Sequence, residues 1–303
     1  QGDAFLNPFC GDEVATNRIC QGWYDICLTV LPTDDSKIFL GGMQRLYTWS
    51  ENEGWIMLSW WIDAASPPAA LGDNVIHSDM HEFAFHPTSP DTMVCVTDGG
   101  VYMTYHAIKN YPNKIEWKPR NNKYDVTQFY DMAVNPYGEL LGGAQDNGTQ
   151  YVSLGSTSHG LSYEISGGDG FGVAISGQQD YKMAFASVYN GSIKRTLDLS
   201  TNNISIATGT CADNDKNQNF DGVGFYTLYH LAEEIEDGTP DIVKKSLMFV
   251  FSSAGFYYSQ NATDPKSSPM WTLPLNPGVG SPYVGHQSKD LSSIYIGGSS
   301  GLK

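Results

Sequence analysis

Hydrophobic and polar residues alternate along short stretches of this chain, and the alternating stretches recur as a unit. Each unit opens with an aromatic-rich alternating run that ends in a polar or Pro-containing turn. A second run ends in Gly-Gly or Asp-Gly, and a third run follows it. Alternation with a period of two is typical of half-buried β-strands, and "DGG" and "DNG" are typical of tight hairpins. The pattern predicts a repeated antiparallel meander.

Six copies of this unit follow one another, spaced by about 42 to 58 residues. The copies start near residues 24, 81, 129, 171, 225 and 283, and the last copy is incomplete. A fourth, outer strand is predicted at "IEWKPR", "LSYEIS", "ISIATG" and "MWTLPL". A sheet of three or four strands leaves both of its faces to be covered, so neighbouring sheets must stack around an axis.

We therefore predict an all-β chain that forms a single β-propeller domain over residues 1–303. Its blades are four-stranded and antiparallel, and about six are visible. They form either most of a propeller or part of a seven-bladed or larger one. An irregular β-sandwich is the alternative.

Several segments carry a resemblance to a known family. The segments "QGWYDICLTVLPTDDSKIFLGG", "HSDMHEFAFHPTSPDTMVCVTDGGVYMT", "VTQFYDMAVNP", "GGAQDNGTQ" and "GGDGFGVAI" resemble BNR-like (Asp-box-like) β-propellers. That family includes sortilin-like and xyloglucanase-like propellers, so the resemblance implies an extracellular propeller. It covers Gln21 to about Phe185. The Asp-box itself is degenerate, because "SENEGW" has Asn52 where Asp is expected, and the resemblance does not extend to sialidase-like chemistry.

Charge narrows the choice of partners. The chain has 17 Lys and Arg residues against 33 Asp and Glu residues, a formal net charge of −16. Binding to nucleic acid depends on Lys and Arg releasing counterions, so we expect no nucleic-acid partner. No apolar stretch reaches the roughly 20 residues of a membrane span, so we expect no membrane insertion. The start "QGDAFLNPFCGDEV" lacks a signal peptide and an initiator Met, as in a mature or excised segment.

The cysteines suit an oxidising compartment, and the sequons are compatible with one. Cys10 and Cys20 flank a loop-like segment, and we predict a disulfide between them. Cys27 and Cys95 lie in apolar runs and are predicted to be buried thiols. Four N-x-S/T sequons occur, about as many as chance gives, at Asn147, Asn190, Asn203 and Asn261. We expect an extracellular or cell-surface location.

Strand reversal predicts which polar residues meet. In an up-and-down blade, the loop before the inner strand and the turn between the second and third strands open on the same face. The residues predicted on this face are His77, Asp79, His81, Asp98, Asp146, Asn147, Asp169 and Asp221. The alternative for Asp98, Asp146 and Asn147 is a turn-forming role, because Asp-Gly and Asn-Gly supply the positive φ of tight hairpins.

The segment "HSDMH" is a candidate metal site. If its backbone is extended, the side chains of His77, Asp79 and His81 project to one side. Two imidazoles and a carboxylate suit zinc, with a further ligand from another blade. The alternative is that Asp79 and His81 hydrogen-bond to neighbouring loops and hold one blade to the next.

A second candidate metal site is the acidic stretch "CADNDKNQNFDG". Oxygen-bearing side chains alternate there in the manner of a calcium loop, at Asp213, Asp215, Asn217, Asn219 and Asp221. Gln218 replaces the turn Gly, and Gly224 stands where a bidentate Glu is expected. The segment predicts a weak Ca²⁺ site, and a solvated acidic loop is the alternative.

Three functions remain open: noncatalytic binding, structural self-assembly and glycoside hydrolysis. The favoured prediction combines the first two, as a secreted or cell-surface, noncatalytic module that binds protein or glycan partners or assembles with copies of itself into a filament or surface layer. Its predicted ligand-binding residues are His77, Asp79, His81, Trp23, Tyr24 and Tyr130, with Phe171 as a further stacking ring. The alternative for the aromatic residues is that they fill the core.

The runner-up is a glycoside hydrolase of the xyloglucanase-like type. Such an enzyme needs two carboxylates about 5 to 10 Å apart. The candidates are Asp79, Asp98, Asp146 and Asp169.

Overall fold

The computed structural model consists of antiparallel β-sheets, and no helix occurs in the residues that it describes. These residues are 7–10, 20–61, 75–108, 115–123, 127–153, 162–178, 183–197, 199, 220, 222–236, 239–272, 274–278, 284–288 and 291–302. The chain divides into two compact units, Gln1–Val126 and Thr127–Lys303. We describe each unit separately.

The first unit contains two four-stranded sheets, and each is ordered along the chain from its first to its last strand. Blade 1 consists of β1 (Cys27–Leu31), β2 (Asp34–Gly41), β3 (Arg45–Ser50) and β4 (Gly54–Trp60). Blade 2 consists of β5 (Met80–His86), β6 (Ser89–Thr97), β7 (Gly100–Thr104) and β8 (Lys118–Pro119). All neighbouring strands pair antiparallel, so each blade is a simple meander.

The second unit contains four sheets with the same sequential order. Blade 3 consists of β9 (Asp131–Val134), β10 (Glu139–Gly143), β11 (Thr149–Ser153) and β12 (Ser162–Ser166). Blade 4 consists of β13 (Val173–Ile175), β14 (Ala184–Ser187) and β15 (Ile193–Thr196). Blade 5 consists of β16 (Leu228–Glu236), β17 (Thr239–Ser252) and β18 (Gly255–Ser259). Blade 6 consists of β19 (Val284–Gln287), β20 (Ile294–Gly298) and β21 (Gly301–Leu302).

The predicted fold class is confirmed: the chain is all-β and built from antiparallel β-propeller blades. Two outer strands form where they are predicted, β8 in "IEWKPR" and β12 in "LSYEIS". The predicted outer strand in "MWTLPL" forms only in part. Thr272 N donates to Tyr258 O at 3.1 Å, and Leu275 pairs with Phe256 in an isolated bridge beside β18. Pro274, between them, has no N–H to donate to a ladder, and Leu273 lies outside the described residues. "ISIATG" lies outside the described residues. The extent of a single domain over residues 1–303 stays a prediction.

Apolar side chains fill the space between consecutive blades. In the first unit, Phe39 and Leu46 of blade 1 pack in one cluster with Met80 and Phe83 of blade 2. The Phe83 ring packs against the backbone of Gly41, where an added Cβ would lie 2.6 Å from the ring. In the second unit, equivalent clusters join blades 3 and 4, blades 4 and 5, and blades 5 and 6. Burial between sheets, and not within one sheet, stabilises each unit.

The cysteine predictions are confirmed for the described residues. Cys10 and Cys20 form a disulfide, and Cys27 and Cys95 are buried free thiols. Burial raises the pKa of Cys27 to about 12, so this thiol stays protonated and unreactive at neutral pH. Within the described ranges, no helix has the length and apolar character needed to cross a membrane.

Candidate functional site

Two carboxyl groups meet in the first unit where the loops before β1 and β5 come together. Asp25 is fully buried and Asp79 is 7% exposed. The amide Nε2 of Gln21 donates to Asp25 Oδ2 at 2.8 Å and to Asp79 Oδ1 at 3.1 Å. Ser78 Oγ donates to Asp79 Oδ2 at 3.0 Å. One amide thus bridges blade 1 to blade 2 through both acids.

Asp79 has a left-handed backbone, with φ of 61°. Asp tolerates this region better than most residues, and the conformation lets its N–H donate to Met43 O at 2.7 Å. This corrects the prediction of an extended "HSDMH" with three side chains on one side. β5 begins only at Met80. The His77 ring packs over Gly99 instead, with its Nδ1 3.1 Å from Ser78 O.

His81 contacts the turn between the second and third strands of its blade. Its Nε2 lies 2.5 Å from Asp98 Oδ1, and its Nδ1 lies 4.0 Å from Asp25 Oδ1. Asp98 N also donates to Asp79 O at 3.3 Å. The His81 and Asp98 side chains are 28% and 30% exposed, so this pair forms the outer layer over the buried acids.

Burial governs the electrostatics of this acidic cluster. It is the main reason that the pKa of Asp25 rises to about 7, and the negative charge of Asp79 and a hydrogen bond with it raise the value further. Burial also raises the pKa of Asp79, against the hydrogen bond from Ser78. The two carboxyls therefore titrate as a coupled pair, and each holds a proton more tightly than an exposed Asp does.

Exposed aromatic rings adjoin the acidic cluster. Trp23 is 81% exposed and Tyr24 is 58% exposed. Their ring centroids are 5.7 Å apart, and the Tyr24 ring meets the His81 ring edge-on at 5.1 Å. The arrangement places flat apolar surfaces next to a hydrogen-bonding His–Asp pair.

The second unit has an aromatic group of its own around Phe171. Phe171 is fully buried, so it is a core residue, and its prediction as a stacking ring is wrong. Its ring supports Tyr130 and Phe225, each at 5.1 Å. Tyr189 stacks on Phe225 at 6.1 Å with an interplanar angle of 7°. Tyr130, Phe225 and Tyr189 are 47%, 49% and 48% exposed. Tyr130 Oη donates to Gln145 Oε1 at 2.8 Å.

Sequence reasoning missed Tyr189 and Phe225. Phe225 lies shortly before the inner strand of blade 5, which begins at Leu228, and Tyr130 lies immediately before that of blade 3, which begins at Asp131. Applying the same positional rule to every repeat finds Phe225. Tyr189 lies in the turn between β14 and β15. Finding it requires the other half of the rule, that the turn between the second and third strands of a blade opens on the same face as the loop before the inner strand.

Asp146 and Asp169 meet through a turn of the second unit. Asp146 has φ of 63° and its N–H donates to Asp169 Oδ1 at 3.1 Å. Gly148 has φ of 69° in the same turn. Asp146 therefore serves as a turn former, which is the alternative that the sequence left open. Asp131, also missed, accepts hydrogen bonds from Val173 N and from its neighbour's N–H.

The remaining predicted sites divide into described and undescribed residues. Asn147 and Asn190 are exposed, whereas Asn261 Nδ2 donates to Ser267 Oγ and Ser268 O. The following lie outside the described residues: Asn203, Asp213, Asp215, Asn217, Asn219 and Asp221. The calcium loop thus stays a prediction.

Comparisons with known proteins add little beyond the fold. No protein-family model matches the sequence, and no curated protein sequence matches it significantly. Among solved structures, the chain is similar to the Dos1 propeller, with 11% identity over 90% of this chain and 66% of that chain and a TM-score of 0.35. It is also similar to YCF48 bound to D1 peptide, with 12% identity over 91% of this chain and 74% of that chain and a TM-score of 0.36. Similarities this low carry no functional argument.

Proposed function

We propose that this chain is a noncatalytic glycan-binding module in which exposed aromatic rings stack on sugar rings. The observation that carries the proposal is the 81% exposure of Trp23, a large apolar ring held beside Tyr24 and next to the His81–Asp98 pair. Rigid aromatic side chains provide contact area at a low cost in conformational entropy. A sugar ring stacked on Trp23 would remove part of this apolar surface from water.

The polar neighbours of these rings suit sugar hydroxyls. His81 and Asp98 provide a ring nitrogen and carboxylate oxygens at partly exposed positions, and hydrogen bonds to an ionised acceptor are stronger than neutral ones. In the second unit, the exposed ring of Tyr130 also has a polar neighbour, because its hydroxyl donates to the side-chain amide of Gln145. Each unit thus combines a stacking ring with a directional polar group, the usual composition of a small-ligand site.

The location and family belong to the same proposal. The disulfide between Cys10 and Cys20 favours an oxidising compartment, so we place the module outside the cell or on its surface. We further propose that it is a BNR-like (Asp-box-like) propeller, on the motifs given above. Self-assembly and protein partners stay as predictions that sedimentation of the native material would test.

A glycan screen on the full chain, followed by titrations with the best ligand, tests the proposal. We expect Trp23→Ala and Phe225→Ala to weaken binding at their own sites by at least about tenfold, as loss of a central aromatic contact does. Tyr163→Ala and Tyr295→Ala are matched controls, because these rings are 48% and 53% exposed on β12 and β20. Equal losses in the controls, or no glycan binding at all, would refute the proposal.

Hydrolysis is the second candidate, because Asp25 with a pKa of about 7 beside Asp79 provides a protonated and an ionised carboxyl group together. Asp25 has no exposed surface, however, and a general acid must reach the glycosidic oxygen. The geometry therefore favours binding. Polysaccharide turnover that disappears in Asp79→Asn and Asp98→Asn would instead establish the enzyme.

A further inference from the structure

We propose that the glycan bound at Trp23 carries positively charged amino groups, as an oligomer of glucosamine does. The inference rests on the proposed function, because it names the class of sugar that the same exposed rings hold. Charge complementarity carries it: the charged groups beside these rings are carboxyl groups and imidazoles. Neutral and anionic glycans are the alternatives.

Carboxyl groups dominate the charge beside the exposed rings of the first unit. Besides burial, the groups that act on Asp25 are Asp79, His81 and Asp98. Asp79 is acted on by Ser78, Asp25 and Asp98, and by the imidazole of His77. Neither set contains Lys or Arg, the side chains that proteins use to hold carboxylates, sulfates and phosphates. The surroundings of the rings therefore suit a cationic sugar better than an anionic one.

His81 lies between the aromatic rings and an accessible carboxylate. Its ring meets the Tyr24 ring at 5.1 Å, and its Nε2 is bound to Asp98 Oδ1. Asp98 is 30% exposed, so a ligand on the rings reaches this carboxylate from the solvent side. Trp23, 5.7 Å from Tyr24, is 81% exposed. An ammonium group is stabilised both over an aromatic face and beside a carboxylate, and this loop offers both positions.

The aromatic group of the second unit also has a carboxyl group beside it. Burial, and then the negative charge of Asp131, raise the pKa of the Tyr226 phenol, so this acid lies close to that ring. The Tyr226 ring is 5.5 Å from the exposed ring of Tyr130. The cationic side chain that acts on Asp131 is again an imidazole, that of His230. Each unit thus combines exposed rings with an acid, and the same class of sugar fits both.

The charge of the whole chain acts in the same direction. The formal net charge is −16, which attracts a polymer with an amino group on every sugar and repels a polymer of uronic acids. Attraction of this kind is nonspecific and is screened by salt. Specific recognition must therefore depend on the rings as well as on charge.

Calorimetric titration of the full chain with three oligosaccharides of equal length tests the proposal. They are oligomers of glucosamine, of N-acetylglucosamine and of a uronic acid, at a pH that keeps most of the amines protonated. We expect the glucosamine oligomer to bind about three- to tenfold more tightly than its acetylated counterpart, because ammonium contacts with exposed rings and carboxylates are this strong. The preference should shrink between about 0.01 M and about 0.15 M ionic strength, as screening increases.

Two charge variants assign the preference to the site. Asp98→Asn should lower the affinity for the glucosamine oligomer more than that for the acetylated one, so that their ratio falls by about threefold, the size of one exposed ion pair. Asp34→Asn is the matched control, because its carboxylate is exposed in the same unit at the β1–β2 turn, and it should leave the ratio unchanged. Circular dichroism checks that both fold. The salt dependence of the unmodified chain tests the proposal without either variant.

The possible results separate this inference from the proposed function. If glycans bind through Trp23 but the acetylated or uronic oligomer binds as tightly as the glucosamine oligomer, the inference is overturned and the proposed function stands. If no oligosaccharide binds, both fail. A preference for glucosamine that persists in Trp23→Ala would show nonspecific attraction and overturn the inference. An oligomer of lysine that binds more tightly than the glucosamine oligomer, and that Trp23→Ala abolishes, would identify a basic peptide as the ligand and also overturn it.

Discussion

Gly143→Ala tests how blade 3 approaches blade 4 in the second unit. A Cβ at Gly143 would lie 1.9 Å from Phe171 O and 2.8 Å from Phe171 C. The same contact includes backbone hydrogen bonds from Gly148 N to Gly168 O and from Gly170 N to Ala144 O. The "GGAQDNG" and "GGDGF" motifs therefore pair directly through their backbones, and an added methyl group has no space.

The expected destabilisation follows from that distance. The Phe171 carbonyl must retreat by about 1 Å to reach even the 3.0 Å at which Cβ contacts become tolerable. The ring of Phe171 is fully buried, and its N–H is bonded to Ser187 O, so the backbone cannot move alone. Overpacking of a core costs roughly 1 to 3 kcal/mol. Because the obstacle is backbone, we expect a loss of about 3 kcal/mol or more in the free energy of unfolding.

Gly224→Ala is the control, since no atom lies within 4 Å of its added Cβ and exposed substitutions change stability by about 0.5 kcal/mol or less. The assay is urea unfolding of the full chain, monitored by hydrogen exchange in residues 139–153. A local probe is needed because a chain with two units need not unfold in one step. Equal midpoints for the two variants would refute the steric argument.

Three further predictions concern the second unit. Arg195→Met should lower the free energy of unfolding by about 3 kcal/mol or more, seen in the urea midpoint, because the guanidinium donates to three backbone carbonyls in residues 262–267. Burial raises the pKa of Glu233, so its folded form holds a proton more tightly than the unfolded chain. Stability should therefore fall as the pH rises from the ordinary carboxyl range through the raised pKa. Glu233→Gln should flatten that part of the thermal midpoint–pH curve. Glycopeptide mass spectrometry after secretion from a eukaryotic host should find Asn261 unmodified, because its amide is hydrogen-bonded within its loop; full occupancy would contradict this.

The fold could be predicted wherever side-chain alternation and turn chemistry agree. Blades 1 to 3 satisfy both, and their four strands form near the predicted positions. The later blades depart from the pattern for local reasons. β16 and β17 pair with shifts in register near Glu234 and Ile235, and prolines interrupt the ladder around Leu275. Such irregularities depend on which backbone groups find partners, which alternation does not encode.

The candidate site was only partly predictable, because backbone conformation decided the rest. Reversal of the chain in each blade correctly places His81 beside Asp98. Asp79, however, takes a left-handed conformation that a period-two pattern cannot reveal. Asp25 was missed because "YDIC" reads as the apolar start of a strand. A single Asp in such a run is the usable signal, since a buried carboxyl must have partners.

In both units, buried residues position the exposed rings that we assign to ligand binding. The loop before β1 is closed by hydrogen bonds from Tyr24 N and Asp25 N to Gln21 O, each 2.8 Å, and Trp23 lies within this loop. Phe171 performs the same role beneath Tyr130 in the second unit. Rings held in this way lose little freedom on binding, and that loss otherwise offsets about 0.5 to 1.5 kcal/mol per side chain. Neighbouring positions in these loops should therefore fall into two separable groups, one whose replacement unfolds the loop and one whose replacement removes only the ligand.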